Sequence, residues 1–370
     1  MIKRKKIAVI GLKGLPAYGG AAAVGENIIN KLKSKYDLTV YSVSSHTEQE
    51  SGNYNGIRQI VFKKLPIKKI NIFYYYIVSA LHALFCDYDL VHLHHSDWAL
   101  IMFILRLRHK VVLTSHGSPM RLGDKDFKYS KSEEIFVKLS EKYFIRLANK
   151  ITSVSKELSD FLQNRYKIDI NYIPNGIENN GSSKVHKDQT PISQDYVLFA
   201  AGRIIPTKGC HIFLQALQKL NFTEKVVIVG DHKQLPEYYS RLKSISDGLD
   251  VDFTGLIKEK DKLNNYIANT ELFVFPSSYE AMSMMLLEVV SLQVPVICSD
   301  IPENKDIFAD HEVLYFETNN VNDLAKKIQY AINNKNDMIE RSKRAYKKLE
   351  EHYTWDKIAK KYEHCYDSLI

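Results

Sequence analysis

The stretch "KIAVIGLKGLPAYGGAAAVGENI" (6–28) contains the unit from which the fold is built. Residues 6–11 are apolar and rich in β-branched side chains, which predicts a buried strand. A glycine-rich turn follows, and a helix is predicted near residues 22–35. A strand, a tight turn and a helix in this order begin a βαβ unit, in which the strands run parallel.

The same alternation continues along the chain, stops and starts again. Two series of strands alternating with helices predict an α/β protein with two doubly wound, Rossmann-like domains. Further strands of the first series are predicted at 38–43, 57–62, 90–95, 110–116 and 150–155. Strands of the second series are predicted at 196–203, 225–230, 251–255, 272–277 and 295–300.

A polar stretch, "NGIENNGSSKVHKDQTPISQD" (175–195), separates the two series. Its Gly, Ser, Asn and Pro residues are typical of a linker. We therefore place the first domain at 1–180 and the second at 190–353. Residues 353–370 have the pattern of an amphipathic helix that follows the second series.

The composition is that of a globular protein, with 45% hydrophobic and 25% charged residues. Residues 1–190 hold 29 Lys and Arg against 17 Asp and Glu, a net charge of +12, although the whole chain carries only +8. This excess predicts an anionic partner for the first domain; a solvated basic face is the alternative. The four cysteines form no C-x-x-C pair, which favours reduced thiols in a cytoplasmic protein.

We expect neither a leader peptide nor a membrane-spanning segment. The apolar part of the basic N-terminal stretch covers only residues 7–10, which is too short for a leader. The longest later apolar run, residues 70–85, is shorter than the ~20 residues that a spanning helix needs.

Glycines cluster between the first strand and the first helix, where doubly wound folds bring backbone N–H groups to a phosphate or sugar. Their spacing is not the G-x-G-x-x-G of dinucleotide-binding proteins. Gly19 and Gly20 would let a ligand approach the backbone closely. A tight turn without a ligand is the alternative.

The second series opens on "AAGRIIPTKG" (200–209). Arg203 and Lys208 follow its first strand, and an Arg and a Lys together can neutralise a diphosphate without a metal ion. The alternative is that both are ordinary basic loop residues.

The stretch "PSSYEAMSMMLLE" (276–288) holds two carboxylates, Glu280 and Glu288, beside an apolar run. Carboxylates are costly there unless a partner or a ligand binds them. A helix is predicted to begin near Ser283 or Met284, and its first N–H groups suit an anion. We interpret Glu280 as binding sugar hydroxyls and Glu288 as binding paired ribose hydroxyls; two solvated side chains are the alternative.

With "GRIIPTKG" (202–209), "PNGI" (174–177) and the E-x7-E spacing from Glu280 to Glu288, the chain resembles the retaining glycosyltransferases of family 4, which have the GT-B fold. The segment 7–20 is similar to the first domain of bacterial members that build surface polysaccharides, including rhamnosyltransferase-like enzymes. The resemblance covers the chain from about residue 6 to about residue 365.

The resemblance implies roles in the second domain. Arg203 and Lys208 would hold the donor diphosphate. Glu288 would bind the nucleotide ribose and Glu280 the donor sugar. Backbone N–H groups near the phosphates would come from residues 282–285, which include Ser283, Met284 and Met285.

In the first domain, the resemblance implies that Gly20, beside Gly19, faces the leaving phosphate. His116, in "TSHGS" (114–118), would lie beside the donor sugar. A strand-end histidine with structural contacts only is the alternative. The resemblance also implies that the donor binds mainly to the second domain and the acceptor to the first, with catalysis in a cleft between them. The helix at 354–370 would pack back on the first domain.

Two departures from the family pattern concern the second domain. Gln293 stands where the family usually has Gly, which alters a turn. The stretch "EAMSM" (280–284) replaces a common E-G-F, and because this loop helps to select the donor sugar, it leaves the donor open.

No carboxylate nucleophile stands out in the sequence, and the resemblance argues for none. It implies front-face substitution, in which the leaving diphosphate helps to deprotonate the acceptor hydroxyl. Arg203, Lys208 and the helix N–H groups would stabilise the charge that grows on the leaving group.

Two patterns imitate metal sites, and we predict no metal or other cofactor. Asp87 and Asp89 form a D-x-D but lead directly into a predicted strand. His92, His94 and His95 end that strand, which suggests a strand edge instead of a metal cluster.

Lysines precede an aromatic run at 63–78, which fits either a helix on an anionic membrane or a core helix with a solvated basic lead. The aromatics form one block and do not alternate with basic residues along a groove, so we predict no nucleic-acid partner.

The sequence therefore predicts a metal-independent glycosyltransferase. Its donor would be a nucleotide-sugar, and UDP is the expected nucleotide because it is the commonest one in such donors. Its acceptor would be a glycan or lipid-linked glycan in surface polysaccharide synthesis. Peripheral contact with the inner face of the plasma membrane is also expected. The alternatives are a sugar-nucleotide epimerase with the same fold and a non-catalytic glycan-binding protein.

Overall fold

The computed structural model describes residues 4–17, 19–67, 70–122, 131–178 and 195–370. The chain divides into two units. Unit 1 comprises residues 1–175 and 355–370, and unit 2 comprises residues 176–354. Each unit has its own sheet with helices packed against it.

Unit 1 contains an eight-stranded sheet whose order is β3-β4-β2-β1-β5-β6-β7-β8. Among the strands that the structure describes in this unit, only β3 runs antiparallel, and it lies at the edge beside β4. The strands are β1 (Lys6–Lys13), β2 (Asp37–Val43), β3 (Gly52–Tyr54), β4 (Ile57–Phe62), β5 (Leu90–His94), β6 (Lys110–Ser115), β7 (Lys150–Ser153) and β8 (Asn171–Tyr172). The helices before residue 175 are α1 (Gly20–Leu32), α2 (Asn71–Leu84), α3 (Met102–Leu105), α4 (Pro119–Leu122), α5 (Lys131–Phe144) and α6 (Lys156–Tyr166).

Unit 2 contains a six-stranded sheet, parallel at every described pairing, whose order is β11-β10-β9-β12-β13-β14. Its strands are β9 (Tyr196–Arg203), β10 (Lys225–Asp231), β11 (Val251–Gly255), β12 (Leu272–Phe275), β13 (Val296–Ser299) and β14 (Leu314–Phe316). Its helices are α7 (Cys210–Lys219), α8 (Pro236–Ile245), α9 (Lys260–Ala268), α10 (Met284–Ser291), α11 (Pro302–Lys305), α12 (Val321–Asn333) and α13 (Lys335–His352).

The predicted fold class is confirmed, because both sheets are doubly wound. The central strands of both units, such as β5 and β12, are buried along their whole length, as expected when helices cover both faces of a parallel sheet. The sequence prediction missed three short edge strands, β3, β8 and β14. Edge strands bury less side-chain surface, so they lack the continuous apolar run that marks the central ones.

Several helices begin at a side-chain cap, as their sequences favour. Ser155 Oγ accepts the N–H of Leu158 at the start of α6, and Asn320 Oδ1 accepts the N–H of Asp323 at the start of α12. Such a cap satisfies one of the N–H groups that a helix start leaves without a partner.

The last helix, α14 (Trp355–Asp367), belongs to unit 1 and packs against α1. Its Trp355, Ile358 and Tyr362 are buried there. At its end, Tyr366 Oη lies 2.7 Å from His92 Nδ1 in β5, and Asp367 accepts the hydroxyl of Tyr36 at 2.6 Å. The C-terminal helix thus completes the core of the first unit.

Gln293 occupies a left-handed turn before β13, with a φ of 57°. Glycine adopts this conformation without steric cost, whereas glutamine does not. The positive φ therefore explains why glycine is the expected residue at this position.

The segment 63–78 resolves into a core helix and its approach, although residues 68 and 69 lie outside the described part. Tyr75 and Tyr76 of α2 are fully buried, and Tyr75 Oη accepts the N–H of Gly11. The aromatic block therefore serves mainly the core of unit 1. Within the described ranges, no helix is both long enough and apolar enough to cross a bilayer.

Most of the predicted linker, residues 179–194, lies outside the described residues. All four cysteines are free thiols, and three of them are buried.

Candidate active site

The strand order of unit 2 fixes where a ligand can bind. The chain leaves β9 toward β10 on one side and returns to β12 on the other, so the sheet has a switch point between β9 and β12. Such a switch point is the usual binding crevice of a doubly wound sheet. Arg203 ends β9 and Lys208 follows in a short 3-10 turn, whereas Glu280 follows β12.

These two loops are locked together by glycine and by backbone hydrogen bonds. Gly209 has a φ of 72°, and a Cβ atom added there would lie 2.1 Å from the carbonyl oxygen of Pro276. The N–H of Ser278 donates to the carbonyl oxygen of Thr207 at 2.9 Å, and its hydroxyl donates to the same oxygen at 3.3 Å. The loop that carries Lys208 and the loop that carries Glu280 therefore form one rigid surface.

Lys208 and Glu280, 72 positions apart in sequence, meet at this surface. Lys208 Nζ donates to Glu280 Oε1 at 2.6 Å. Glu280 is only 8% exposed, and burying a carboxylate without a partner costs free energy, which the Lys208 cation offsets. The ion pair with Lys208 explains how the Glu280 carboxylate can lie beside apolar residues.

Helix α10 begins next to Glu280, as predicted. Ser283 caps it, since its Oγ accepts the N–H of Leu286 at 3.3 Å. The N–H groups of Met284 and Met285 lie in the first turn, where helical N–H groups have no partner within the helix and the dipole is positive. Buried Leu286 and Leu287 hold the helix against the sheet. The start of α10, with its unpaired first-turn N–H groups, therefore follows Glu280 closely in the chain.

Arg203 and Glu288 are the remaining side chains of unit 2 that the sequence predicted to bind the donor. Arg203 is half-buried, and its guanidinium makes no hydrogen bond or ion pair with any residue that the structure describes. Glu288 lies on α10, and its Oε1 is 3.4 Å from the mostly exposed Lys260 Nζ. An unengaged guanidinium and a loosely paired carboxylate both remain available to a ligand.

In unit 1, Gly19 and Gly20 lie where α1 begins. A Cβ atom at either residue would meet nothing within 4 Å, whereas one at Gly11 would lie 2.5 Å from the carbonyl oxygen of His94. Gly11 is therefore required by internal packing. Gly19 needs glycine for its φ of 99°, but no internal contact explains Gly20, which leaves open space for a ligand.

His116 follows β6 and is held by a second histidine. His116 Nε2 lies 2.9 Å from His94 Nδ1, and the two rings are parallel. Burial lowers the pKa of His116 to about 4, against the opposing effect of the Asp97 charge. The pKa of His94 is also well below its usual value because of burial and the neighbouring histidines. Both rings are therefore neutral at pH 7, and His116 can act there as a hydrogen-bonding group and not as a cation.

Comparison with known proteins assigns both parts of the chain. Residues 18–180 match the family model "Glycosyltransferase Family 4", and residues 182–348 match "Glycosyl transferases group 1". The chain is a family-4-like glycosyltransferase with the GT-B fold.

Curated relatives of this glycosyltransferase include enzymes named for polysaccharide synthesis. The putative teichuronic acid biosynthesis glycosyltransferase TuaC of Bacillus subtilis is 26% identical, over 65% of this chain and 60% of that protein. The O-antigen biosynthesis glycosyltransferase WclY of Escherichia coli is 22% identical, over 93% of each chain. The crystal structure of HepE from Anabaena in complex with UDP-glucose has a TM-score of 0.74 at 18% identity, over 98% of this chain and 99% of that one.

Glu141 is a feature of this glycosyltransferase that sequence reasoning missed. Its carboxylate is fully buried in unit 1 and accepts hydrogen bonds from Ser96 and Ser118, each at 2.6 Å, and from Tyr166 at 2.9 Å. Burial raises its pKa, and the three hydroxyl donors oppose that effect. Glu141 thus ties the loops after β5 and β6 together through Ser96 and Ser118. One signal was present, since Ser140 and Glu141 interrupt the apolar positions of α5.

The two patterns that imitate metal sites have structural roles. Asp89 accepts the N–H of Lys6 at 2.8 Å and so marks the start of β5. His92 lies 2.7 Å from both Tyr366 Oη and Thr114 Oγ1, which uses both of its ring nitrogens. Within the described part of the chain, no three His, Cys, Asp or Glu side chains are grouped so as to hold a metal ion.

Proposed function

We propose that this glycosyltransferase moves a sugar from a UDP-sugar to a hydroxyl of a glycan or lipid-linked glycan in surface polysaccharide synthesis, with retention and without a metal ion. The observation that carries the proposal is the Lys208–Glu280 pair beside the start of α10, at the switch point of unit 2. UDP-glucose bound to HepE and the polysaccharide enzymes among the relatives support the donor and the pathway class.

In the proposed donor site, each charged side chain binds one part of the nucleotide-sugar. Arg203 and Lys208 neutralise the diphosphate, and the N–H groups of Met284 and Met285, after the Ser283 cap, add hydrogen bonds to it. Glu280 binds hydroxyls of the donor sugar. Glu288 on α10 binds the two ribose hydroxyls.

In unit 1, Gly19 and Gly20 leave backbone room for the leaving phosphate, and neutral His116 bonds to the donor sugar. No described residue bonds to His116 Nδ1, which leaves that nitrogen for a sugar hydroxyl.

The proposed reaction is a front-face substitution. The acceptor oxygen forms a bond to the anomeric carbon on the face from which the diphosphate leaves, and the bond from that carbon to the diphosphate oxygen breaks. The acceptor proton passes to the leaving diphosphate. Lys208, Arg203 and the α10 N–H groups stabilise the negative charge that develops there, which is where preorganised donors lower a barrier most.

Thermal stabilisation by nucleotides tests the donor site directly. A ligand that binds only the folded state raises Tm by mass action. We expect UDP or one UDP-sugar, added without metal, to raise Tm, and Glu288→Ala to abolish the shift. The panel includes nucleotide-linked rhamnose, because the first domain resembles rhamnosyltransferase-like enzymes.

Lys260→Ala is the matched control, since it removes the exposed partner of Glu288 and leaves the carboxylate in place. If only another nucleotide shifts Tm, that nucleotide and not UDP would be assigned to the donor. No shift with any nucleotide at saturating concentration would refute the donor site and favour a non-catalytic protein.

We also propose that unit 1 contacts an anionic membrane through α5. Ile135, Leu139 and Tyr143 form a stripe at i, i+4 and i+8 on its outer face, and they are 61%, 46% and 60% exposed. Lys142 and Lys138, whose Nζ pairs with Glu134, flank the stripe, and basic residues beside an apolar stripe are typical of helices that lie on anionic lipid. We expect the protein to sediment with phosphatidylglycerol vesicles and Leu139→Glu to remain in solution. Ile339→Glu, on α13 of unit 2, is the control; equal loss in both variants would contradict this contact.

A further inference from the structure

The contact between His94 and His116 is a hydrogen bond in the plane of both rings. His94 ends β5 and is fully buried, and its Nδ1 lies 2.9 Å from His116 Nε2. The ring planes are 13° apart, and the ring centroids are 5.2 Å apart. Because the two nitrogens are closer than the ~3.5 Å of ordinary nonbonded contact, the rings meet edge to edge and do not lie face to face.

The ring of His94 is held by close packing on its other sides. A Cβ atom added at Gly25 of α1 would lie 3.1 Å from His94 Cε1 and 3.3 Å from its Nε2, and one added at Gly11 would lie 2.9 Å from its Cβ. The ring of His92 lies against it, with centroids 4.1 Å apart. The edge that carries Nε2 therefore faces Gly25, and this buried nitrogen has no hydrogen-bond partner among the described residues.

The environment of Nε2 decides which nitrogen of His94 carries the proton. The ring is neutral at pH 7, so it has one N–H group. A proton on Nε2 would be a buried donor without an acceptor, which is rarer in proteins than a buried acceptor without a donor and costs free energy. A proton on Nδ1 avoids this cost, because it is donated to His116 Nε2.

We propose that His94 is a positioning residue that fixes His116 as an N–H donor at Nδ1. His116 is neutral at pH 7, so when its Nε2 accepts the bond from His94, its own proton must lie on Nδ1. An N–H donor at this position selects an acceptor atom on the donor sugar, such as a hydroxyl, amide or carboxylate oxygen, and disfavours an ammonium group. This inference rests on the proposed function, because that function supplies the sugar.

NMR spectroscopy measures the two tautomers directly and needs no substrate. With isotopically labelled histidines, long-range nitrogen–proton spectra distinguish a protonated ring nitrogen from a bare one. Spectra of His94→Asn and His116→Gln assign the signals of the two rings. We expect a protonated Nδ1 and a bare Nε2 in both histidines at pH 7. A proton on Nε2 of His116 would overturn the proposal.

Two substitutions of His94 separate positioning from packing. His94→Leu removes the donor but keeps a large side chain, so part of His116 should move its proton to Nε2. We expect kcat/KM for sugar transfer to fall about threefold to tenfold, the usual worth of one hydrogen bond. His94→Asn keeps an amide N–H near the place of Nδ1 and should restore both the tautomer of His116 and most of kcat/KM. The same tautomer and the same kcat/KM in both variants would reduce His94 to a packing role and refute the proposal.

His109→Leu is the matched control in the same unit. His109 is also buried, but it precedes β6, and its ring nitrogens contact the carbonyl oxygens of Ala83 and Tyr88. Its loss should lower the free energy of unfolding without changing the tautomer of His116 or kcat/KM. A change of tautomer in this variant would show that general destabilisation moves the proton, which would contradict the role of His94.

The UDP-induced rise in Tm keeps this inference separate from the proposed function. That rise is expected from unit 2 and should persist in His94→Leu, His94→Asn and His109→Leu. If UDP raised Tm but His116 carried its proton on Nε2, only the role of His94 would be refuted. If no nucleotide raised Tm while His116 carried its proton on Nδ1, the proposed function would fail and the assigned tautomer would stand.

Discussion

Lys208→Ala is expected to lower kcat/KM for sugar transfer by about a hundredfold to a thousandfold, the usual effect of removing one preorganised donor from a developing negative charge. Lys208 is placed to stabilise the leaving diphosphate, so most of the loss should appear in kcat. The variant also leaves the nearly buried Glu280 without its cation, which should reduce the free energy of unfolding by about 1–3 kcal/mol. Steady-state kinetics and urea unfolding measure the two effects separately.

Two further variants separate chemistry from stability. Lys208→Ala/Glu280→Gln removes the unpaired charge, so stability should largely recover while kcat stays low. Lys225→Ala removes another 2.6 Å ion pair, with Asp250, at the opposite edge of the same sheet, and should leave kcat/KM unchanged. Activity near that of the wild type in Lys208→Ala would refute the assignment of the donor site.

Gly209→Ala is expected to have the second large effect, on folding and donor binding together. The left-handed conformation costs a non-glycine residue about 1–2 kcal/mol. The new Cβ atom would also overlap the carbonyl oxygen of Pro276, a backbone atom that can move only with the loop carrying Glu280. We expect a loss of about 3 kcal/mol or more in the free energy of unfolding, from conformational strain plus overpacking, and no Tm shift with UDP.

Substitutions at two other glycines separate the cost of the left-handed conformation from the cost of the steric overlap. Gly248 also has a positive φ, 82°, but nothing lies within 4 Å of its added Cβ, so Gly248→Ala should show the conformational cost alone. Gly202 has neither feature, so Gly202→Ala should leave the free energy of unfolding nearly unchanged. If Gly209→Ala cost no more than Gly248→Ala, the close approach of the two loops would not matter for stability.

Local patterns predicted the helix start that follows Glu280. The strand before "PSSYEAMSMMLLE" and the apolar run within it are neighbours in sequence, and they correctly predicted a helix start near Ser283 or Met284. That Ser283 caps this helix is a finding of the structure. The roles assigned to Arg203 and Glu288 remain predictions. The aromatic stretch at 63–78 was ambiguous, because a buried face and a lipid-facing face have the same apolar composition.

The sequence by itself determined the alternation of strands and helices, the fold class and the loops that carry the candidate residues, because periodicity and turn chemistry are properties of neighbouring residues. Only the tertiary structure decided which distant groups meet: Lys208 with Glu280, His94 with His116, and Glu141 with the serines of two loops. Those contacts depend on strand order, which a single sequence does not encode locally. Strand order also brings Lys13, at the end of β1, near His95 and Asp97, which follow β5, since β1 and β5 become neighbours only when the sheet forms.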